Sequence, residues 1–322
     1  MTRLPVAAAA VALTMAGSLA DDTWIMPTAC DESSYQTEIA RTFAEAVRVC
    51  TAGRLAIEVH AGGSLIGGGA IKRAVETGDV AIGERLLSAH ADDNPVFAYD
   101  SVPFLATSFD SSERLWQAAR PILEEILMGD NLVLLYSVPW PPQGLYFSQP
   151  VERLADVAGM PFRTYNEATA RLAELAGLEP VHTELADLDG VLASGRVRGF
   201  VSSSETGYNH RVWDHMTHFY DAAAWVPRNY VFVNGDAFNG LDDQGRNCLR
   251  SAAHFAEVAG TTRARELSGW YLSRLAARGM IVAPPGEALA ADLGRIGAVM
   301  FDEWSAAAGE DGERIMEAFA GR

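Results

Sequence analysis

Apolar positions along this chain follow two rhythms that alternate repeatedly. From Ser34 to Thr51, Ile39, Phe43, Ala46 and Val47 fall on one face of a helix. The short runs on either side, Thr23-Trp-Ile-Met26 and Leu55-Ala-Ile-Glu-Val59, have the length and composition of strands. The same alternation continues through a helix over Ala70–Thr77, a strand at Val80-Ala-Ile82 and a long helix over Ser111–Met128. That helix would be capped by Asp110, Ser111 or Ser112, and a strand follows at Leu132-Val-Leu-Leu-Tyr136. Strands and helices in strict alternation predict an α/β fold whose largely parallel sheet is covered by helices.

A second series begins near Gly144. It places strands at Leu145–Phe147, Met160–Arg163, Pro180–His182 and Gly199–Ser202, with helices over Glu167–Ala176 and Leu185–Ala193. Pro139-Trp-Pro-Pro-Gln143 separates the two series as a stiff crossover, and Ala224-Trp-Val-Pro-Arg228 is a second such segment. Two crossings make the halves interleaved rather than sequential. Asp242–Arg278 contains no proline and forms one very long helix, with Gly260 or Gly269 as the place for a kink.

Composition narrows the class. The 322 residues suffice for two domains, nearly half are apolar and about a fifth charged, a globular balance. A formal charge of −17 argues against nucleic acid and anionic membrane surfaces. Any anion site must therefore be built locally. At the N-terminus, Arg3, the uncharged run Val6–Met15 and the small-x-small pattern Ser18-Leu-Ala20 lay out a secretory signal peptide over 1–20, cut after Ala20. That run is too short to span a bilayer, and no later stretch qualifies, so direct membrane insertion is not expected. Removing it takes away one arginine and no acid, which moves the charge from −17 to −18. Of the three cysteines, Cys30, Cys50 and Cys248, the first two are nearest in sequence and form the candidate disulfide.

Four stretches carry candidate chemistry. Gly62-Gly-Ser-Leu-Ile-Gly-Gly-Gly69 lacks the Gly-Lys-Ser/Thr ending of a phosphate loop and reads as a flexible connection. His210, His215 and His218 are clustered, but their spacing fits no zinc pattern, so no metal or cofactor is expected. Ser202-Ser-Ser204 has no nucleophile elbow around it and suits hydrogen bonding to a ligand better than attack on one. Arg163 ends the apolar run Gly159-Met-Pro-Phe at a strand's C-terminal edge, where open α/β sheets collect ligands. A guanidinium there needs a partner, either an internal acid such as Glu167 or Asp187 or an arriving carboxylate.

The order and spacing of several segments resemble the solute-binding proteins of tripartite ATP-independent periplasmic (TRAP) transporters. The resemblance rests on Ile71-Lys-Arg-Ala-Val-Glu-Thr-Gly-Asp-Val80 with Ile82-Gly-Glu84, and on Asp100-Ser-Val-Pro-Phe-Leu105. Further segments are Trp140-Pro-Pro-Gln-Gly-Leu-Tyr146, Gly159–Arg163, Ala193-Ser-Gly-Arg-Val-Arg-Gly199 and Trp225-Val-Pro-Arg-Asn229 with Val231–Asn234. It implies a two-lobed periplasmic binding protein, type II-like, with mixed sheets in each lobe and a long helix spanning both. The lobes would comprise 21–142 plus 229–270, and 143–228 plus 271–322. Arg163 matches the family's carboxylate-binding arginine, and Glu84 an acid on the facing lobe. Asn166 and Asn229 fall at cleft positions, and Trp225 at a wall.

Two departures matter. Arg198 and Ser202 stand where many relatives carry an acid and an asparagine, and Pro142-Gln143 replaces a second arginine found in some. Arg163 is then the lone cation, flanked by the neutral donors Gln143, Ser202 and Ser203, which favours a monocarboxylate. Trp140, Tyr146, Tyr165 and Trp225 are placed to hold an apolar or aromatic tail. The resemblance implies capture of a small organic acid by cleft closure and delivery to TRAP membrane permease subunits, without catalysis. The rivals are an exported hydrolase or lyase using Ser202–Ser204 or the histidines, and a sensor that presents its ligand to a receptor.

Overall fold

The computed structural model describes residues 22–321, and the expected signal segment 1–20 lies outside them. The first lobe opens with β1 (Asp22–Pro27), α1 (Tyr35–Cys50), β2 (Leu55–His60), α2 (Ile71–Glu76) and β3 (Ile82–Leu86). It continues with α3 (Phe109–Gly129) and β4 (Leu132–Pro139). Ser34 caps α1 by accepting the N–H of Thr37, and Ser108 with Ser111 forms a capping box on α3. The expected caps Asp110, Ser111 and Ser112 thus lie inside α3. The strand expected at Val80 begins only at Ile82, because it is completed by Glu84 and Arg85, two charges that are buried here and that apolar patterning does not count.

The second lobe contains β5 (Gln143–Phe147), β6 (Pro161–Thr164), α4 (Glu167–Leu175), β7 (Glu179–His182), α5 (Leu188–Ala193), β8 (Gly199–Ser203), α6 (Ser204–Asn209) and β9 (His218–Tyr220). The chain then returns to the first lobe as β10 (Arg228–Asn234) and α7 (Gly235–Gly240), and ends with α8 (Asp243–Ala277), β11 (Ile281–Ala283) and α9 (Glu287–Ala320). The two crossovers fall where the Pro-rich segments place them, between β4 and β5 and between β9 and β10.

The first lobe holds the parallel pair β1–β2 and an antiparallel trio in the order β3-β10-β4, linked by a bridge from Thr28 to Glu84. The second holds six strands in the order β11-β9-β5-β8-β6-β7, both parallel and antiparallel. The expectation of a largely parallel sheet is therefore corrected to a mixed one. The returning strand β10 wedges antiparallel between β3 and β4, a non-local pairing that alternation along the chain does not reveal. The fold is α/β and two-lobed.

Helix α8 runs unbroken through Gly260 and Gly269. Gly260 serves a close approach instead of a kink, since a Cβ there would sit 2.8 Å from the side chain of Val138. Leu249 and Tyr271 of α8 join the core of the first lobe, and Leu275 joins that of the second. Helix α9, which the apolar pattern had not resolved, behaves alike: Leu289 and Leu293 pack in the second lobe, Trp304 and Ile315 in the first. It bends at Gly309, whose φ of 57° is left-handed.

The disulfide joins Cys50 to Cys248, not to Cys30, which stays a buried free thiol. It ties the end of α1 to α8 across 198 residues, a loop closure that stabilises by about 2–4 kcal/mol. Nearness in sequence misled, because α1 packs along α8. Among the described residues no helix is long and apolar enough to cross a membrane.

Candidate functional site

The lobes enclose a cavity of about 70 Å³ at the C-terminal ends of β3, β6 and β8. From the first lobe it is lined by Ala29, Cys30, Arg85 and Leu86, with Trp140, Pro227 and Asn229 at the crossovers. Gln143, Arg163, Tyr165, Glu184, Leu185, Ser202, Ser203 and Thr206 close it from the second.

Arg163 is 2% exposed. Its strand lies between β7 and β8, so the backbone is fixed on both sides. Its Nε donates to the carbonyl of Thr183 at 3.0 Å, and the guanidinium lies 5.0 Å from the centre of the Tyr165 ring. Neither Glu167 nor Asp187 pairs with it, and its terminal nitrogens donate to no residue among those described. Burial pulls its pKa down to about 10, against the smaller opposing influence of Tyr165 and Glu184. Burying a guanidinium without a carboxylate partner carries a desolvation cost that an anion in the cavity would offset.

Neutral groups surround it. Gln143 donates to the carbonyl of Pro141 and accepts from the hydroxyl of Tyr165 at 3.4 Å. The hydroxyl of Ser202 makes no hydrogen bond among the described residues and faces the cavity, whereas that of Ser203 caps α6 by accepting the N–H of Thr206. Asn229 is held by two neighbours, with its oxygen accepting from Trp140 at 2.8 Å and its nitrogen donating to the Cys30 sulfur at 2.9 Å.

Seven of the eleven expected positions therefore meet at the cavity: Arg163, Gln143, Ser202, Ser203, Asn229, Trp140 and Tyr165. Four do not. Glu84 is buried one step deeper in β3, where burial pushes its carboxyl up to about 7, partly offset by hydrogen bonds from Thr28 and Asn229. Asn166 caps α4 and donates across the lobes to Ser88 at 2.9 Å. Tyr146 is stacked on Phe200 in the core, with its hydroxyl donating to the Ser203 carbonyl. Trp225 lies in the second lobe's core, with Tyr165 packed against that cluster. Aromatic residues near a cleft are commonly core, and two of these four expected positions are.

The sequence reading missed Arg85 and Glu184. Arg85 brings a second guanidinium to the cavity, so Arg163 is not its only cation; Glu184, 99 residues on, binds it through two hydrogen bonds of 3.2 and 3.1 Å. The one available signal was the charge pair Glu84-Arg85 inside an apolar strand, where period-2 alternation sends the two side chains to opposite faces.

The histidines do not converge. His210 lies between Asp189 and Asp31, His218 bonds Thr217 and stacks on Tyr220, and His215 is exposed. Among the described residues no group of three or more His, Cys, Asp or Glu could hold a metal ion, and no histidine lines the cavity beside Ser202.

Residues 27–295 match the bacterial extracellular solute-binding proteins, family 7. The chain belongs to the TRAP solute-binding family. A marine metagenome TRAP solute-binding protein from an unidentified microbe, specific for pyroglutamate, is 43% identical, with a TM-score of 0.93 over 94% of this chain and 100% of that one. Two Bordetella pertussis extracytoplasmic solute receptors that bind pyroglutamic acid are similar as well. DctP7 is 38% identical, with a TM-score of 0.92 over 93% of this chain and 99% of its own. DctP6 is 36% identical, with a TM-score of 0.92 over 94% and 100%. The family places this TRAP solute-binding protein among bacterial extracellular solute-binding proteins, and Arg163 lines the cavity between its lobes.

Proposed function

We propose that this protein captures a small monocarboxylate carrying a ring amide, pyroglutamate foremost, by closing its lobes on it and delivering it to the TRAP permease subunits. The observation that carries this is Arg163, buried and without a carboxylate partner. A ligand carboxylate would receive its two terminal nitrogens in parallel, a charge-assisted pair worth about 1.5–3 kcal/mol.

The rest of the cavity supports the same ligand. A lactam needs one acceptor for its N–H and one donor for its carbonyl, and Gln143, Ser202 and Asn229 offer neutral groups of both kinds. The three relatives described above bind pyroglutamate. Closure follows from linkage: a ligand that touches both lobes only when they meet shifts the population toward the closed form. The signal segment 1–20 would export the chain to the periplasm, and the lobes would move about the crossovers near 142 and 228.

Thermal unfolding against a panel of small carboxylates tests the proposal. Pyroglutamate at a hundredfold excess over its Kd should stabilise by about 2.7 kcal/mol, while its carboxamide, which lacks the charge, should give no shift. Equal shifts with acid and amide, or none with any monocarboxylate, would refute it.

A further inference from the structure

Arg85 and Glu184 form the one ion pair that both lines the cavity and crosses from lobe to lobe among the described residues. Arg85 lies next to the end of β3 in the first lobe, and Glu184 follows β7 of the second. The same short segment serves both cations, since the carbonyl of Thr183 orients Arg163 and the next residue supplies the carboxylate for Arg85. His182 Nε2 approaches Glu184 no closer than 4.0 Å and is largely exposed.

Space for the pair is made by Gly68. A Cβ at that position would lie 2.4 Å from Arg85 Nη1, 3.0 Å from Glu184 Oε2 and 3.1 Å from the Ala29 side chain. This gives the glycine-rich stretch 62–69 a structural reason that a phosphate loop did not: its backbone must come up against the ion pair without a side chain.

We propose that Glu184 is a specificity-determining residue that makes the cavity a site for one negative charge. This rests on the carboxylate reading of Arg163 given above. With Glu184 on Arg85, the lining carries one uncompensated positive charge, which a monocarboxylate neutralises. A dicarboxylate would leave a second negative charge buried without a partner, or would have to displace Glu184 from Arg85. Either is a penalty against the wrong ligand rather than a gain for the right one. The second arginine is present but its capacity for an anion is already taken, so the preference for a monoanion arises from Glu184 and not from the lack of a second cation.

Calorimetric titration of wild type, Glu184→Gln and Glu184→Gln/Arg85→Gln with pyroglutamate, malonate, succinate and glutarate tests this. Glu184 is partly exposed, so its neutral isostere leaves the core undisturbed. The single variant should bind at least one of the three dicarboxylates about tenfold or more tightly than wild type does, while pyroglutamate weakens by less than tenfold through loss of the interlobe contact. The double variant should lose the gain. No gain with any dicarboxylate, or a gain that survives removal of Arg85, would overturn the assignment of Glu184. A wild type that binds no monocarboxylate would refute the carboxylate reading instead, so the two failures are distinct.

Discussion

Arg163 and Arg228 are almost equally buried, one in each half of the molecule, and their surroundings could hardly differ more. Arg228 donates to Glu113 at 2.8 Å and to the Ser137 hydroxyl at 3.0 Å, and lies 5.7 Å from the centre of the Trp116 ring. Its backbone N–H reaches Asp100, which also accepts from Tyr230. Burial pushes Asp100 up to about 6 despite these bonds. Among the described residues the Arg163 side chain makes one hydrogen bond, to a carbonyl. The difference teaches that burial of a charge does not mark a site; burial without compensation does. One arginine holds a lobe together; the other, on the function proposed above, takes its counter-charge from the ligand.

The comparison breaks most visibly at Arg228. Arg228→Met strips Glu113 and Ser137 of their partner and should destabilise the fold by about 3 kcal/mol, the low end for a buried pair because Glu113 is partly exposed. Pyroglutamate affinity should barely change, because Arg228 does not line the cavity. Denaturant unfolding beside a binding titration checks both.

His210 stands at the opposite extreme, one cation between two carboxylates from different lobes. Burial pulls its pKa down, but Asp31 at 2.9 Å and Asp189 at 2.7 Å outweigh it, and the net shift is upward. The folded form therefore holds the proton more tightly. That stability is fully present below the unfolded value of 6.5 and is lost as pH rises through the raised one. Glu205 adds to the same trend. It accepts the N–H of Tyr35 across the lobes, and burial pushes it up to about 8, so its contribution fades from its unfolded value of 4.5 upward through that range. Tm should fall from about pH 4.5 to about pH 8 as Glu205 loses its proton, and His210→Gln should flatten the part of the fall above pH 6.5. An unchanged slope in the variant would remove His210 from the interlobe contacts.

How much of this was legible in the residues follows from how local each feature is. Strand and helix rhythm placed most elements within a few residues, and the proline-rich crossovers marked where the chain changes lobe. What depends on distant segments was not legible. The insertion of β10 between β3 and β4, the pairing of Cys50 with Cys248 and the bond from Arg85 to Glu184 all join residues about a hundred or more positions apart. At the site, Arg163 stood out as a strand-end arginine after an apolar run, but position alone left an internal salt bridge and an anion site equally open, and only the family resemblance favoured the second. Glu84 and Tyr146 were misplaced because the sequence shows neither which face of a strand turns to the cavity nor how deep a residue lies.

The central claim is that the counter-charge of Arg163 is supplied by the ligand. It is tested most directly by the thermal unfolding of Arg163→Met with and without saturating pyroglutamate, beside wild type. Without ligand the variant should be at least as stable as wild type, since it loses an uncompensated buried charge and replaces it with an apolar side chain. With ligand, the wild-type shift should be absent. A variant that is destabilised when empty, as expected for Arg228→Met, and that still shifts with pyroglutamate would show that Arg163 is a structural cation and that the anion binds elsewhere.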